Sequence, residues 1–312
     1  MLHVRLIVPS DLVSLVMEIL NRTPAVTNVW HLAGAAIKPA GDLVSVDVAK
    51  EDATTLLGKL RELGIEERGS IAAEIVDASI SQAARDAEVA AAGFPADAVV
   101  WEEVEGRVSE SATLSISFLV LMIIATMIAA VGVITDSIVL IIGAMVVGPE
   151  YGPLSGICVA LVEGRPRLAA KSLRAIAVGF PLGMAAAALL TILLRLTGIA
   201  PDLLLPNEHE LTLFVSNPNW FAAIVALLAG TVGMLALLGA KSGVLVGVLI
   251  SVTTIPAAAN VGVAAVYGDW DDALGAAAQL GLNVAAIVAS GVTVLWVIQK
   301  ARLRRLANRA GG

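Results

Sequence analysis

The chain has 312 residues, 58% of them hydrophobic and only 15% charged, with a mean hydropathy of +0.87. Soluble domains average about 45–50% apolar and about 25% charged residues, so a wholly soluble protein is excluded and a membrane protein is expected. The net charge of −7 is divided: acidic residues collect in the first third and in two later loops, basic ones at Arg165–Arg174 and Lys300–Arg309.

The front of the chain reads as a small α+β module. Residues 2–8 alternate apolar and polar, as a half-buried strand does. Pro9-Ser10-Asp11 opens a helix with Leu12, Val13, Val16, Ile19 and Leu20 on one face and Ser10 or Asp11 as its N-cap. Val26–Leu32 and Leu43–Val48 read as strands, Glu51–Leu63 as a second amphipathic helix ended by Gly64, and Ile71–Ile80 as the last strand. The order βαββαβ over residues 1–80 is that of a ferredoxin-like domain. Such a module binds ligands or dimerises, and the fold does not choose between them. His3 and His31 fall on strands expected to be neighbours, but a lone pair without further ligands is more often structural than metal-binding. Ser81–Ala92 and Ala98–Ser109 read as helices, so residues 81–110 form a charged helical linker into the membrane.

Six apolar segments are long enough to cross a bilayer, which takes roughly 20 residues. They are Ala112–Ile134, Ser137–Val162, Leu168–Leu194, Trp220–Ala240, Ser242–Tyr267 and Ala273–Ile298. They make a membrane domain over residues 111–298, followed by a basic tail at 299–312 that suits anionic lipid headgroups. With both termini cytoplasmic, Arg107, Arg165, Arg167, Lys171, Arg174, Lys241 and Lys300–Arg309 fall at inner ends, and Arg195 alone falls outside. The outer loops then carry Asp136, Asp202, Glu208, Glu210, Asp269, Asp271 and Asp272. The N-terminus alternates instead of running basic then apolar, so no secretory leader is read and the soluble module is expected in the cytoplasm.

Two of the spans are interrupted near their midpoints. Gly148-Pro149-Glu150-Tyr151-Gly152-Pro153 breaks the second, and Thr253-Thr254-Ile255-Pro256, followed by Asn260, breaks the fifth. Within lipid every backbone N–H and C=O needs a partner, so a broken helix persists only where protein or a water-lined cavity covers it. Spans one to three and four to six also match at an offset of about 105 residues. Three is odd, so the two halves cross in opposite senses: an inverted repeat, on which many secondary transporters are built. Glu150 is the acidic residue placed deepest, and an ionisable group there is a functional candidate by default, able to take and release a proton; the alternative is a carboxyl that only satisfies N–H groups freed by the break. Thr253, Thr254 and Asn260 add hydroxyl and amide groups, and Gln279 and Asn283 of the sixth span are candidates to face inward. A half-helix starting near Pro153 would present N–H groups to an anion, and one ending near Val147 would present carbonyls to a cation.

Gly143-Ala144-Met145-Val146-Val147-Gly148-Pro149-Glu150-Tyr151-Gly152-Pro153-Leu154 resembles the central motif of a bacterial and archaeal membrane family catalogued as domain of unknown function 389. The resemblance extends to Trp101-Glu102-Glu103, Ile255-Pro256, Gly268-Asp269 and Asn283, over roughly residues 98–300. It implies an integral protein of the prokaryotic inner membrane and leaves the mechanism open.

The reading is a six-span permease for a small ion or solute, with membrane lipids as partners and Gly148–Pro153, Thr253, Thr254, Pro256, Asn260 and Asn283 as the site. The alternative is a membrane-anchored sensor whose ferredoxin-like module binds a small ligand. Neither needs a cofactor or a metal. An enzyme is not expected: His-Glu-x-x-His, Gly-x-Ser-x-Gly and paired mid-membrane aspartates are all missing. Nor is a nucleic-acid partner, since no stretch interleaves basic and aromatic residues. The single Cys158 excludes an intrachain disulfide and a cysteine-cluster metal site. Small residues at Ala185–Ala188, Gly239/Gly243/Gly247 and Ala276–Ala278 permit close helix packing and are compatible with a homo-oligomer.

Overall fold

The computed structural model describes residues 1–76, 79–91, 101–201, 220–239 and 242–310, and the chain divides into two units, Met1–Glu105 and Gly106–Gly312.

In the first unit, the alternation of residues 2–8 becomes β1 (Leu2–Val8), with Leu2, Val4, Leu6 and Val8 all buried. It is followed by α1 (Val13–Asn21), β2 (Val26–Ile37), β3 (Ala40–Val48), α2 (Lys50–Glu62), α3 (Ile65–Arg68), β4 (Ser70–Ile75) and α4 (Gln82–Ala90). The strands form an antiparallel sheet in the order β2-β3-β1-β4. The buried faces of α1, α2 and α4 complete one core with the inward residues of β1 and β3.

Several local expectations are corrected. Ser10 and Asp11 do not cap α1, which starts at Val13. Both side chains are engaged elsewhere: Asp11 takes two hydrogen bonds from Arg68, at 2.8 and 2.9 Å, and Ser10 turns to Asp42. β4 covers Ser70–Ile75 of the expected Ile71–Ile80, Val76 N donates to Met1 O, and residues 77 and 78 lie outside the described residues. β2 instead continues to Ile37 because β3 stays paired with it through the hairpin. His3 and His31 do not meet, since β3 lies between their strands. His3 Nδ1 is 2.6 Å from Asp47 Oδ1 and His31 Nε2 is 2.7 Å from Asp42 Oδ2, both acids being on β3. Among the described residues no cluster of three or more His, Cys, Asp or Glu could hold a metal ion.

α5 (Trp101–Ser111) carries the chain into the second unit. There α6 (Ile116–Ile134), α9 (Pro166–Leu196), α10 (Trp220–Leu238) and α13 (Trp270–Ala310) are each long and apolar enough to cross a membrane. α7 (Ile138–Val147) and α8 (Tyr151–Glu163) qualify together as a pair bent by 51°, which makes up to five spans by length and composition. α11 (Ser242–Ser251) and α12 (Thr254–Tyr267) occupy the fifth expected segment as two shorter helices. The first span begins at Ile116 instead of Ala112, because Ser115 accepts a hydrogen bond from Phe118 N and caps the helix there. The last continues through Ala310, so the expected tail is helical as far as that residue. Lys241 and the acids at 202, 208 and 210 lie outside the described residues.

Some element lengths in the second unit match and others do not, α9 having 31 residues and α13 41. α6 and α10 have 19 residues each, α7 and α11 have 10 each, and α8 and α12 have 13 and 14. α8 and α12 both close on a left-handed glycine, Gly164 and Gly268. α6 lies on α9 and α10 on α13, α8 and α12 each touch both α9 and α13, and α12 also lies on α6. The close approach of α12 to α9 is set by Gly262, where a Cβ would fall 2.9 Å from Ala188 N and closer still to Met184 O. Gly243 and Gly247 instead face open space.

Two outcomes are expected. Gly262→Leu overpacks the α9–α12 contact and should cost about 1–3 kcal/mol, read as a lower thermal midpoint of the full chain in detergent. In the first unit, the Gly34 amide and then His31 hold the Asp42 carboxyl below the usual carboxylate range. A lowered folded value contributes stability above the unfolded pKa of about 4 that is lost as pH falls through the folded value. Hydrogen exchange across Trp30–Leu43 should therefore be faster in Asp42→Asn than in the wild type near neutral pH. That difference should disappear in acid; a difference independent of pH would contradict it.

Candidate functional site

The first break is made by Pro149. A residue before proline is pushed out of the helical region, and Gly148 is extended at φ −63°, ψ 129°. α7 therefore stops at Val147, and α8 starts at Tyr151 instead of near Pro153. Pro153 sits in the first turn of α8, where its missing N–H removes one of the donors a helix start leaves unpaired. The second break is confined to Val252 and Thr253. Thr254 N donates to Val252 O at 2.9 Å around Thr253 at φ −81°, ψ 52°, an inverse γ-turn. Pro256 then occupies in α12 the place that Pro153 occupies in α8.

The two breaks lie against each other. A Cβ on Gly148 would be 2.6 Å from Ile255 Cγ1 and would also strike the Glu150 carboxyl, so only glycine permits this approach. Thr254 Oγ1 donates to Glu150 Oε1 at 2.6 Å, with Glu150 only 3% exposed and Thr254 1%. Glu150 and Thr253 are the N-cap residues of α8 and α12, yet neither side chain caps its own helix. Glu150 reaches across to Thr254, and Thr253 accepts from Asn283 Nδ2 of α13 at 3.0 Å. Asn283 Oδ1 in turn accepts from Gln279 Nε2 at 3.2 Å. Three buried polar atoms here have no hydrogen-bond partner among the described residues: Glu150 Oε2, Tyr151 OH and Gln279 Oε1.

Two cavities meet this cluster. One of about 10 Å³ is lined by Glu150, Tyr151 and Thr254 together with Leu154, Val248 and Ile287; that is room for roughly one water. The other, about 410 Å³, opens between α7, α10, α11 and α13 and includes Thr253, Gln279 and Asn283 in its wall. Val252 lines both.

Of the residues expected at the site, Gly148, Glu150, Tyr151, Thr253, Thr254 and Asn283 come together, with Pro149, Pro153 and Pro256 shaping the backbone around them. Two expectations are corrected. Asn260 points away, donating to Asp272 Oδ2 at 2.8 Å near the start of α13, because it lies nearly two turns beyond the break. Gly152 packs on the main chain of Ser111 and does not line either cavity. Val252 and Ile255, with the wall supplied by α10, were not legible as site residues, since an aliphatic residue in an apolar helix carries no distinguishing signal.

A family model described as "Domain of unknown function (DUF389)" matches residues 145–289. An uncharacterised protein of Methanocaldococcus jannaschii is 24% identical over 204 residues, covering 63% of this chain. The chain spans 58% of the length of that relative. No solved structure matches it. The matched segment, a little under half of the chain, carries both breaks and every polar group that joins them.

Proposed function

We propose that this chain is a multi-pass transporter or channel-like permease for a small ion or solute, with its site between the two helix breaks. Glu150 is its proton or cation carrier. The observation that carries the reading is the Thr254–Glu150 hydrogen bond, which ties a buried carboxyl on one broken segment to the other broken segment. An acid that served only to satisfy its own helix start would cap α8, and Glu150 does not. Its second oxygen is unpartnered beside a cavity of about one water, as a site that takes up and releases a proton requires.

In this reading the broken pairs α7–α8 and α11–α12 each count as one span, giving six in two halves of opposite sense. The matched helix lengths and the paired packing of α8 and α12 on α9 and α13 support that inverted repeat. The repeat also explains Arg195, the exception among the basic residues. Its guanidinium donates to Val266 O at the end of α12 and lies 4.6 Å from the Tyr267 ring, so it is held in place at an outer end. The strand order of the N-terminal sheet is that of a ferredoxin-like domain, here placed in the cytoplasm with the C-terminus, at a prokaryotic inner membrane. Lipids and the transported solute are its partners. The reading involves no enzymatic step, cofactor or nucleic acid, and it is compatible with a homo-oligomer.

The test is proton flux in liposomes loaded with a pH-sensitive dye, with potassium and valinomycin clamping the potential. The wild type should dissipate an imposed pH gradient faster than empty liposomes. Glu150→Gln should lower the flux by about tenfold or more while eluting as the wild type does on gel filtration. Thr254→Val, which leaves Glu150 Oε1 without its donor, should lower it less. Flux unchanged in Glu150→Gln would remove the carboxyl from the mechanism.

A further inference from the structure

The larger cavity bears on what is carried. Its wall is mostly aliphatic and aromatic, with Ile141 and Met145 from α7, Phe221 and Val225 from α10, and Ile250 from α11. The polar side chains on it are Ser251, Thr253, Gln279 and Asn283, all uncharged at any physiological pH. Among the described residues no acidic or basic side chain lines it, and Glu150 is not on its wall: Val252 contributes to both cavities. An ion taken into such a space would lose its hydration without meeting a counter-charge, which is far costlier than burying a neutral group that finds a hydrogen bond.

The hydrogen bonds have a direction. Gln279 Nε2 donates to Asn283 Oδ1, and Asn283 Nδ2 donates to Thr253 Oγ1. Each amide gives one of its two N–H groups to this chain, and Gln279 Oε1, on a fully buried residue, is an acceptor with no donor among the described residues. At the other end Thr253, already accepting from Asn283, keeps its own O–H to give. An apolar volume of about 410 Å³ with a few convergent polar groups is the form of a small-molecule site.

We propose that this cavity is the solute chamber and that it takes an uncharged amphipathic molecule with an N–H or O–H group, such as an alcohol or amide. Gln279 Oε1 accepts that hydrogen and the apolar body lies against Ile141, Met145 and Phe221. This rests on the permease reading, and divides the labour: the neutral solute occupies the chamber while the proton resides at Glu150.

The experiment is thiol labelling of the full chain in lipid nanodiscs, with Ser251→Cys as the reporter on the chamber wall. Leu182→Cys, on the exposed face of α9, is the lipid-facing control, and the wild type, whose Cys158 is buried, is the blank. Rates are normalised to those of a free thiol in water. Ser251→Cys should react with uncharged methyl methanethiosulfonate at least about tenfold faster than with its sulfonate or trimethylammonium analogues. The Leu182→Cys control should react poorly with all three. Indole should slow the neutral reaction about tenfold more effectively than N-methylindole, which lacks the N–H, and Gln279→Leu should erase that difference. Charged reagents entering as readily as the neutral one would overturn the proposal. So would indole and N-methylindole protecting equally, or neither protecting. The expected labelling pattern in a protein without proton flux would keep the chamber and remove the transport. Flux lost in Glu150→Gln with a chamber open to ions would do the opposite.

Discussion

A polypeptide that stops being helical inside an apolar environment must find partners for the main-chain groups it frees, and the second unit of this protein meets that demand twice in one place. The α7–α8 break and the α11–α12 break are stacked on each other, Gly148 on Ile255, and joined by the Thr254–Glu150 hydrogen bond. Each break is economical in unsatisfied groups. Pro153 and Pro256 delete a donor from the first turns of α8 and α12, and the γ-turn at Thr253 uses the Thr254 amide internally. The side chains that an ordinary helix start would spend on capping are released to bridge between segments. This is why Glu150 and Thr253 bond to neighbouring segments instead of capping their own helices.

The scaffold around the breaks is built to hold them without charge. α8 and α12 each lie against both α9 and α13, so each is gripped from two sides. Close approach depends on small residues, Gly262 against α9 and Gly233 against the Tyr151 ring. The basic residues are kept at the ends: Arg107 donates to Leu237 O, Lys171 to Ser109, and Lys300 lies 4.5 Å from the Trp296 ring. Glu150 is thus left as the buried acid of this unit among the described residues, hydrogen-bonded to a neutral hydroxyl.

Much of this arrangement is legible in the sequence. The residue types that break helices are few, and Gly148-Pro149 and Pro256 mark both interruptions. β1 was readable because alternation over residues 2–8 has no other economical explanation. The partners were not legible, because a partner is a tertiary fact. Ser10 and Asp11 have the composition of caps, but Asp42 and Arg68 draw them away. His3 and His31 seemed adjacent because sequence order hides the insertion of β3 between β1 and β2. Asn260 looks like a site residue by type, and its distance along α12 delivers it to Asp272. The wall of the larger cavity is aliphatic, and aliphatic residues in a membrane-like helix are indistinguishable from one another until they are packed.

The contact on which all of this depends is that between Glu150 and Thr254. A double-mutant cycle of Glu150→Leu and Thr254→Val, read as unfolding free energy in lipid-like micelles, isolates it, since each substitution removes one partner of the hydrogen bond. A buried hydrogen bond to a carboxyl predicts a coupling of about 1–2 kcal/mol between the two substitutions. Additivity within about 0.5 kcal/mol would mean that the two breaks do not meet through these side chains, and would contradict the account.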